Sequence, residues 1–261
     1  MKVLKLGQSL CSSNAPAAAW ANKYSLEFDA VDDYVDVGND ASLRPALSGG
    51  ATISFWTKNP TLGKPFFATG QSATTYAGIL ISIGGTGKLF CSTGNNFGLG
   101  STGRRTFNST NNVFTSTTVW YHVVMVLVNA AQTSWIGYID GAAVPNGTSG
   151  TGASIVYTTN NTELGHFSYN SAYLGGKLDE VGFWDSALSA AEVAAIYNGG
   201  SPTDLTVDAG NYASSGDLVG YWRNGDTAGS SVYPTIEDYS TNSNDGTMTN
   251  MTDSDIITDV P

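Results

Sequence analysis

Charge is scarce in this chain. Only 13% of its 261 residues are Asp, Glu, Lys or Arg. Helices that face water usually carry Glu, Lys and Arg on the wet side, so a mainly helical fold is disfavoured. Basic residues are scarcer still, with 11 Lys and Arg against 22 Asp and Glu and a net charge of −11. The nearest approach to a basic cluster is Arg104-Arg105. That is too little cation to displace phosphate counterions, which excludes nucleic acid as a partner. No apolar run reaches the length of a membrane-crossing helix, so no membrane insertion is expected. The two cysteines, Cys11 and Cys91, form no disulfide framework, and spacing leaves their pairing open. Cys91 sits in a strand-like run, where a thiol usually acts as a small buried hydrophobe.

Hydrophobic residues make up 41% of the chain, so it can bury a core and is not a disordered composition. Ser, Thr, Asn and Gly supply its polarity, which suits short strands joined by turns. The length fits one large β domain. Lys2, Lys5 and Ala17-Ala18-Ala19 imitate a secretory leader, but Lys5, Gln8 and Ser9 interrupt its apolar region. Residues 1–22 are therefore expected to be an N-terminal arm.

Strand signals then recur at short intervals. They fall at Tyr24–Phe28, Tyr34–Val37, Thr52–Trp56, Pro65–Ala68, Ile79–Ile83, Leu89–Ser92 and Trp135–Ile139, and again at Thr162–Leu164, Lys177–Trp184 and Leu218–Arg223. Val119–Val128 is too continuously apolar for a one-faced strand and predicts cover on both faces. Asp140-Gly141, Asn146-Gly147 and Asn198-Gly199 read as turns. One helix is expected after Ser189, where Ser189 and Glu192 have capping-box spacing. Asn198-Gly199-Gly200 stops it. Beyond residue 224 the chain is rich in Asp, Ser, Thr and Asn, with little to bury, and its last residues are expected to be a tail.

These residues resemble the laminin-G-like, concanavalin A-like jelly rolls. The likeness is carried by Leu26-Glu27-Phe28-Asp29 with Asp33-Tyr34-Val35, by Ile53-Ser54-Phe55-Trp56, and by Trp120-Tyr121-His122-Val123 with Tyr138-Ile139-Asp140-Gly141. Gly176-Lys177-Leu178-Asp179-Glu180-Val181, Trp184 and Leu188–Glu192 complete it. The resemblance implies an all-β, two-sheet antiparallel jelly-roll sandwich with one short helix. Leu218–Arg223, Asp238-Tyr239-Ser240 and Asn244–Thr247 look like the segment that normally precedes the first strand, which implies a permuted order. The expected layout is an arm over 1–22, a jelly roll over 23–248 completed by a C-terminal strand, and a tail over 249–261. An unfilled strand position would leave an aggregation-prone edge. The C-terminal segment that carries Leu218–Arg223 and Asn244–Thr247 is therefore expected to fold back on its own domain, with a neighbouring chain as the other route.

The same resemblance implies a structural calcium held by Asp29 and Asp179, since calcium takes six to eight oxygen ligands. Glu27 shares a strand face with Asp29, and Asp32 and Asp33 are close by. Acidic turns without metal are the competing reading. Leu164-Gly165-His166 and Phe183–Ser186 are similar to pentraxins, but His166–Asn170 lacks the carboxylates of a pentraxin ligand site. Glu27–Asp32 only faintly resembles a glycosidase carboxylate pair. His122, in an apolar strand, reads as a packed residue, and no nucleophilic triad is visible. Gly98–Gly103 matches a dinucleotide fingerprint in letters yet lacks its strand-then-helix context. Sugar-binding chemistry is present at Tyr76, Asn95, Asn96, Phe97, Tyr169, Asn170 and Tyr173, on or beside predicted loops.

The layout also resembles structural proteins of marine bacteriophages. It implies a non-enzymatic virion decoration or fibre protein at the virion surface, with other virion proteins or its own copies as partners. The alternative is a lectin-like adhesin that binds cell-surface glycan, in an extracellular setting. A glycosidase or lyase is the third reading.

Overall fold

A computed structural model of the chain describes residues 20–70, 77–95, 103–129, 134–150, 155–168, 171–226 and 233–261. In chain order the first strands are β1 (Ser25–Asp29), β2 (Tyr34–Gly38), β3 (Ala51–Lys58), β4 (Pro65–Thr69), β5 (Ala77–Ile83) and β6 (Leu89–Asn95). There follow β7 (Arg104–Ser109), β8 (Trp120–Leu127), β9 (Trp135–Ile139), β10 (Ala142–Ala143), β11 (Asn146–Ser149), β12 (Thr162–Leu164), β13 (His166–Phe167) and β14 (Ala172–Tyr173). The last are β15 (Gly175–Trp184), helix α1 (Ala190–Tyr197), β16 (Leu218–Trp222), β17 (Thr235–Ile236), β18 (Gly246–Thr249) and β19 (Ile256–Ile257).

Two antiparallel sheets face each other. The first runs β10-β9-β8-β3-β15-β1-β19, and the second runs β11-β7-β6-β5-β4-β12-β2-β18-β17. The expected two-sheet jelly roll is what the chain forms. Alternation decides which side chains fill the gap between the sheets. Val35 and Val37, Ile79 and Ile81, Val123 and Met125, and Leu178 and Phe183 all point inward into one core.

The continuous apolar stretch at β8 has the explanation anticipated for it. Val123, Met125 and Leu127 enter the inter-sheet core. Val124 and Val126 enter a second cluster on the outer face of the first sheet, beneath Val193 and Ile196 of α1. The helix starts with the predicted box. Glu192 N donates to Ser189 Oγ at 3.3 Å, and Ser189 N donates to Glu192 Oε2 at 2.8 Å. Asn198 ends it in the left-handed region at φ 48°. His122 packs beside Trp56 and Tyr197, and burial pushes its imidazole down to about 3. It is a neutral packing group at ordinary pH.

The C-terminal segment packs on its own domain, and the part that differs from expectation is residues 249–261. Ile236, Met248 and Met251 are buried in the main core. β18 pairs with β2, and β19 pairs with β1. Asp259 receives hydrogen bonds from Lys58 Nζ at 2.9 Å, Lys177 Nζ at 2.5 Å and Trp120 Nε1 at 3.3 Å. Burial alone would raise this carboxyl, but those three donors outweigh it and hold it down at about 2. The segment assigned to a tail over 249–261 is thus an edge strand with an ionic lock. Met251 of this segment is buried in the main core, and alternation aims Met248 of the preceding β18 inward. Cys91 is a buried free thiol, and Cys11 lies outside the described residues.

Candidate functional site

Two places in this frame gather unusual chemistry, on opposite outer faces of the sandwich. The first is on the second sheet. Val35 and Val37 of β2 point into the core, so Tyr34 and Asp36 point outward. The β13–β14 ladder pairs His166 with Tyr173. Its Phe167 and Ala172 pack on outward Ala68 and Leu80. That anchor brings three rings together. His166 stacks on Tyr173 with centroids 4.4 Å apart and planes at 13°. Tyr34 lies 4.9 Å from His166 and 6.3 Å from Tyr173. His166 is buried, whereas Tyr34 and Tyr173 are half-exposed.

Carboxylates frame the rings. Glu163 Oε2 is 3.0 Å from His166 Nδ1 without forming a hydrogen bond. Asn161 Nδ2 donates to both oxygens of Asp36, at 2.8 and 2.9 Å. Burial raises the Tyr34 phenol, Thr249 opposes that by a hydrogen bond, and the charges of Asp36 and Glu163 add to it. The patch is aromatic, half-open and negative.

Of the sequence-predicted ligand residues, Tyr173 stands in this patch. Asn95 ends β6, four strands from Tyr34, which at about 4.8 Å per strand is roughly 19 Å across the sheet. Tyr76, Asn96, Phe97, Tyr169 and Asn170 lie outside the described residues, as does Gly98–Thr102 of the glycine-rich stretch. Tyr34, Glu163 and His166 were not among the predicted ligand residues. The signal for Tyr34 was its alternation with Val35 and Val37.

The second place is on the outer face of the first sheet. Residues 175–178 of β15 pair with β1, and residues 181–184 pair on the same flank with β16. Between these two neighbours β15 bulges, and Glu180 takes φ 48°. Asp179 and Glu180 are both buried there. Arg223 Nε donates to Glu180 Oε1 at 3.2 Å, and its Nη2 donates to Asp226 Oδ2 at 3.2 Å. Tyr221 donates its hydroxyl hydrogen to Glu180 Oε2. Burial, with the neighbouring Glu180 charge, drives Asp179 well above the usual carboxylate range. Burial also raises Glu180 to about 7, against the pull of Arg223.

The implied calcium pair does not assemble. Asp29 sits opposite Gly175, whereas Asp179 is four residues further along β15, roughly 13 Å at about 3.3 Å per residue. Asp29 groups instead with Asp32 and Asp33. Its Oδ1 accepts from Val31 N at 2.7 Å and Asp32 N at 3.3 Å, while Asp33 Oδ2 accepts from Asp29 N at 3.0 Å. These acids cap a turn, and Glu27 and Asp29 are exposed.

Asp179 does have a polar nest of its own. Asn22 Nδ2 donates to Asp179 Oδ2 at 2.9 Å. Asn22 Oδ1 and both amide atoms of Asn224 are buried without a hydrogen-bond partner. A buried amide left unpaired costs about 1–3 kcal/mol, so the orphaned Asn22 oxygen near the Asp179 and Asp226 carboxyls is a group that a hard cation would satisfy. Asp179, Asp226 and Asn22 are the residues that would hold calcium there.

The comparisons agree with this architecture. Residues 29–194 match the model of the concanavalin A-like lectin/glucanases superfamily, and the chain belongs to that family. No curated protein matches the sequence. Among solved structures, a candidate carbohydrate-binding protein from Bacteroides ovatus is similar, with a TM-score of 0.58 and 15% identity. The match covers 89% of this chain and 60% of that one, so this chain spans less than two thirds of its length. A heptameric SAP-like pentraxin from Limulus polyphemus has 15% identity and a TM-score of 0.47, over 67% of this chain and 82% of its own. The CBM40 of the Ruminococcus gnavus IT-sialidase, bound to α2,3-sialyllactose, has 14% identity and a TM-score of 0.44, over 66% and 97%. At these identities the likeness is one of fold. No helix among the described residues is long and apolar enough to cross a membrane.

Proposed function

We propose that this chain is a non-catalytic carbohydrate-binding module that takes neutral glycans on the Tyr34–His166–Tyr173 patch. The observation that carries the reading is the half-open pair of tyrosines braced by a buried, stacked histidine. A sugar presents an apolar C–H face and a rim of hydroxyls. Tyrosine offers the matching apolar ring with a polar tip. Asp36 and Glu163 supply acceptors for the hydroxyls. Their charge repels carboxylated sugars, so uronic and sialic acids are disfavoured. Membership of a lectin-containing superfamily supports the same reading. The comparisons support it better than they support virion assembly. A surface that attaches to glycan, on a virion or elsewhere outside the cell, is the setting it implies.

We read the Asp179 nest as a structural calcium site that braces the junction of β1, β15 and β16. Bound calcium would supply compensating charge there and perform no chemistry on the ligand.

A glycan array tests the main reading. Binding is expected to neutral oligosaccharides, without release of hydrolysis products. Tyr173→Ala is expected to weaken it by about tenfold or more, or roughly 1.4 kcal/mol. A preference for acidic glycans, or no difference between wild type and Tyr173→Ala, contradicts the assignment.

A further inference from the structure

We infer that the Tyr34–His166–Tyr173 patch prefers glycans that carry a free ammonium group, and that Glu163 is the carboxylate that receives it. The inference rests on the glycan reading above and narrows its ligand class. Glu163 of β12 and Asp36 of β2 stand directly opposite each other in the sheet. Like charges in that arrangement destabilise a strand pair. Nothing in their row offsets them. The next partners outward are Ala68 beside Glu163 and Thr247 beside Asp36. Among the described residues, no Lys or Arg forms an ion pair with either acid. Arg44 Nη2 donates instead to Asn160 O at 3.1 Å.

The two carboxylates are not equivalent. Asp36 is held in place. Both its oxygens accept from Asn161 Nδ2, and its Oδ1 also accepts from Gly38 N at 2.9 Å. Glu163 receives no hydrogen bond among the described residues. Its side chain is 15% exposed, and the His166 Nδ1 3.0 Å away forms none with it. His166 is itself only 8% exposed, and that Nδ1 has no hydrogen-bond partner. A carboxylate with little water and no donor is costly. An ammonium brings three N–H donors together with the missing charge. The flanking tyrosines favour the same group, because a cation near an aromatic face is attracted to the ring. A 2-amino sugar meets both demands at once. Its C–H face lies on a tyrosine ring, and its ammonium reaches Glu163. Asp36 adds charge from across the strand pair without moving.

The test uses the full chain and two oligosaccharides that differ only at carbon 2, a β1,4-linked glucosamine oligomer and its glucose counterpart. Affinities are measured by titration calorimetry at a pH that keeps the amine protonated. The glucosamine oligomer is expected to bind about tenfold tighter, the combined effect of an exposed ion pair and a cation–π contact. Added salt is expected to shrink that ratio, since it screens exposed charge. Glu163→Gln is expected to bring the ratio close to one and to melt no lower than wild type, because it also relieves the opposed charges. Equal affinities in the wild type overturn the ammonium site and leave glycan binding standing. A preference that persists undiminished in Glu163→Gln or in Tyr173→Ala is attraction to the net charge of −11 and overturns it too. If neither oligomer binds while the array yields a neutral ligand, the inference falls alone. If the array is also blank, both readings fall.

Discussion

A chain ending at residue 232 is expected not to fold. The deleted segment carries three strands that serve both sheets. β18 lies between β2 and β17, so its loss exposes the backbone edge of β2. Ile236, Met248 and Met251 leave the core. Truncating one large buried aliphatic side chain costs about 2–5 kcal/mol, and whole domains are stable by only about 5–15 kcal/mol. Three such losses alone span that margin. Polar anchors go as well. Trp222 Nε1 donates to Asn244 O at 2.8 Å, and Tyr221 N donates to Asp238 Oδ1 at 2.8 Å. Both groups are buried and would be orphaned. The expected readout is insoluble protein, or soluble protein with no cooperative melt, and rescue when a peptide of residues 233–261 is supplied in trans. A cooperative melt within a few degrees of the full chain would show that the segment is an appendage.

Arg223→Met is expected to be the most damaging single substitution on the outer face of the first sheet. The guanidinium is the counter-charge to Glu180 and Asp226, and it also bonds Ala21 O. Removing one partner of a buried ion pair costs about 3–5 kcal/mol, because the other charge stays buried and alone. For a domain of this size that corresponds to a fall of roughly 6–20 °C in melting temperature. Glu180→Gln in the same background should recover part of the loss, since it removes one stranded charge. If the double variant melts below Arg223→Met, Glu180 is stabilised by something other than Arg223. Saturating calcium should also offset part of the Arg223→Met loss, by adding positive charge to the same nest.

Much of the sandwich was legible because its strands obey local rules. β3, β8 and β15 announce themselves by alternation or by continuous apolar runs, and α1 by its cap. What escaped lay in short or polar strands. β7 reads Arg-Arg-Thr-Phe-Asn-Ser, and β13 and β14 have two residues each. Neighbouring strands stabilise these segments more than their own composition does. The C-terminal order was visible in Leu218–Arg223, yet β18 and β19 were not, since two or three apolar side chains among Asp, Ser and Thr do not mark a strand. The sites were least legible. Pairing Asp29 with Asp179 required a register that only β1 against β15 decides. The Asp179 nest draws on residues 22, 179, 223 and 226, and no spacing rule connects them. In the aromatic patch, Tyr173 was anticipated, but its partners Tyr34 and His166 arrive through tertiary packing.

The most direct test of the binding account is to map a bound neutral oligosaccharide by NMR on the labelled chain. The account predicts that aromatic and backbone resonances of Tyr34, His166 and Tyr173 shift first and saturably, together with Glu163 and Asp36. Shifts confined to the α1 face, or to the segments containing Tyr76, Asn96 and Phe97, would contradict it.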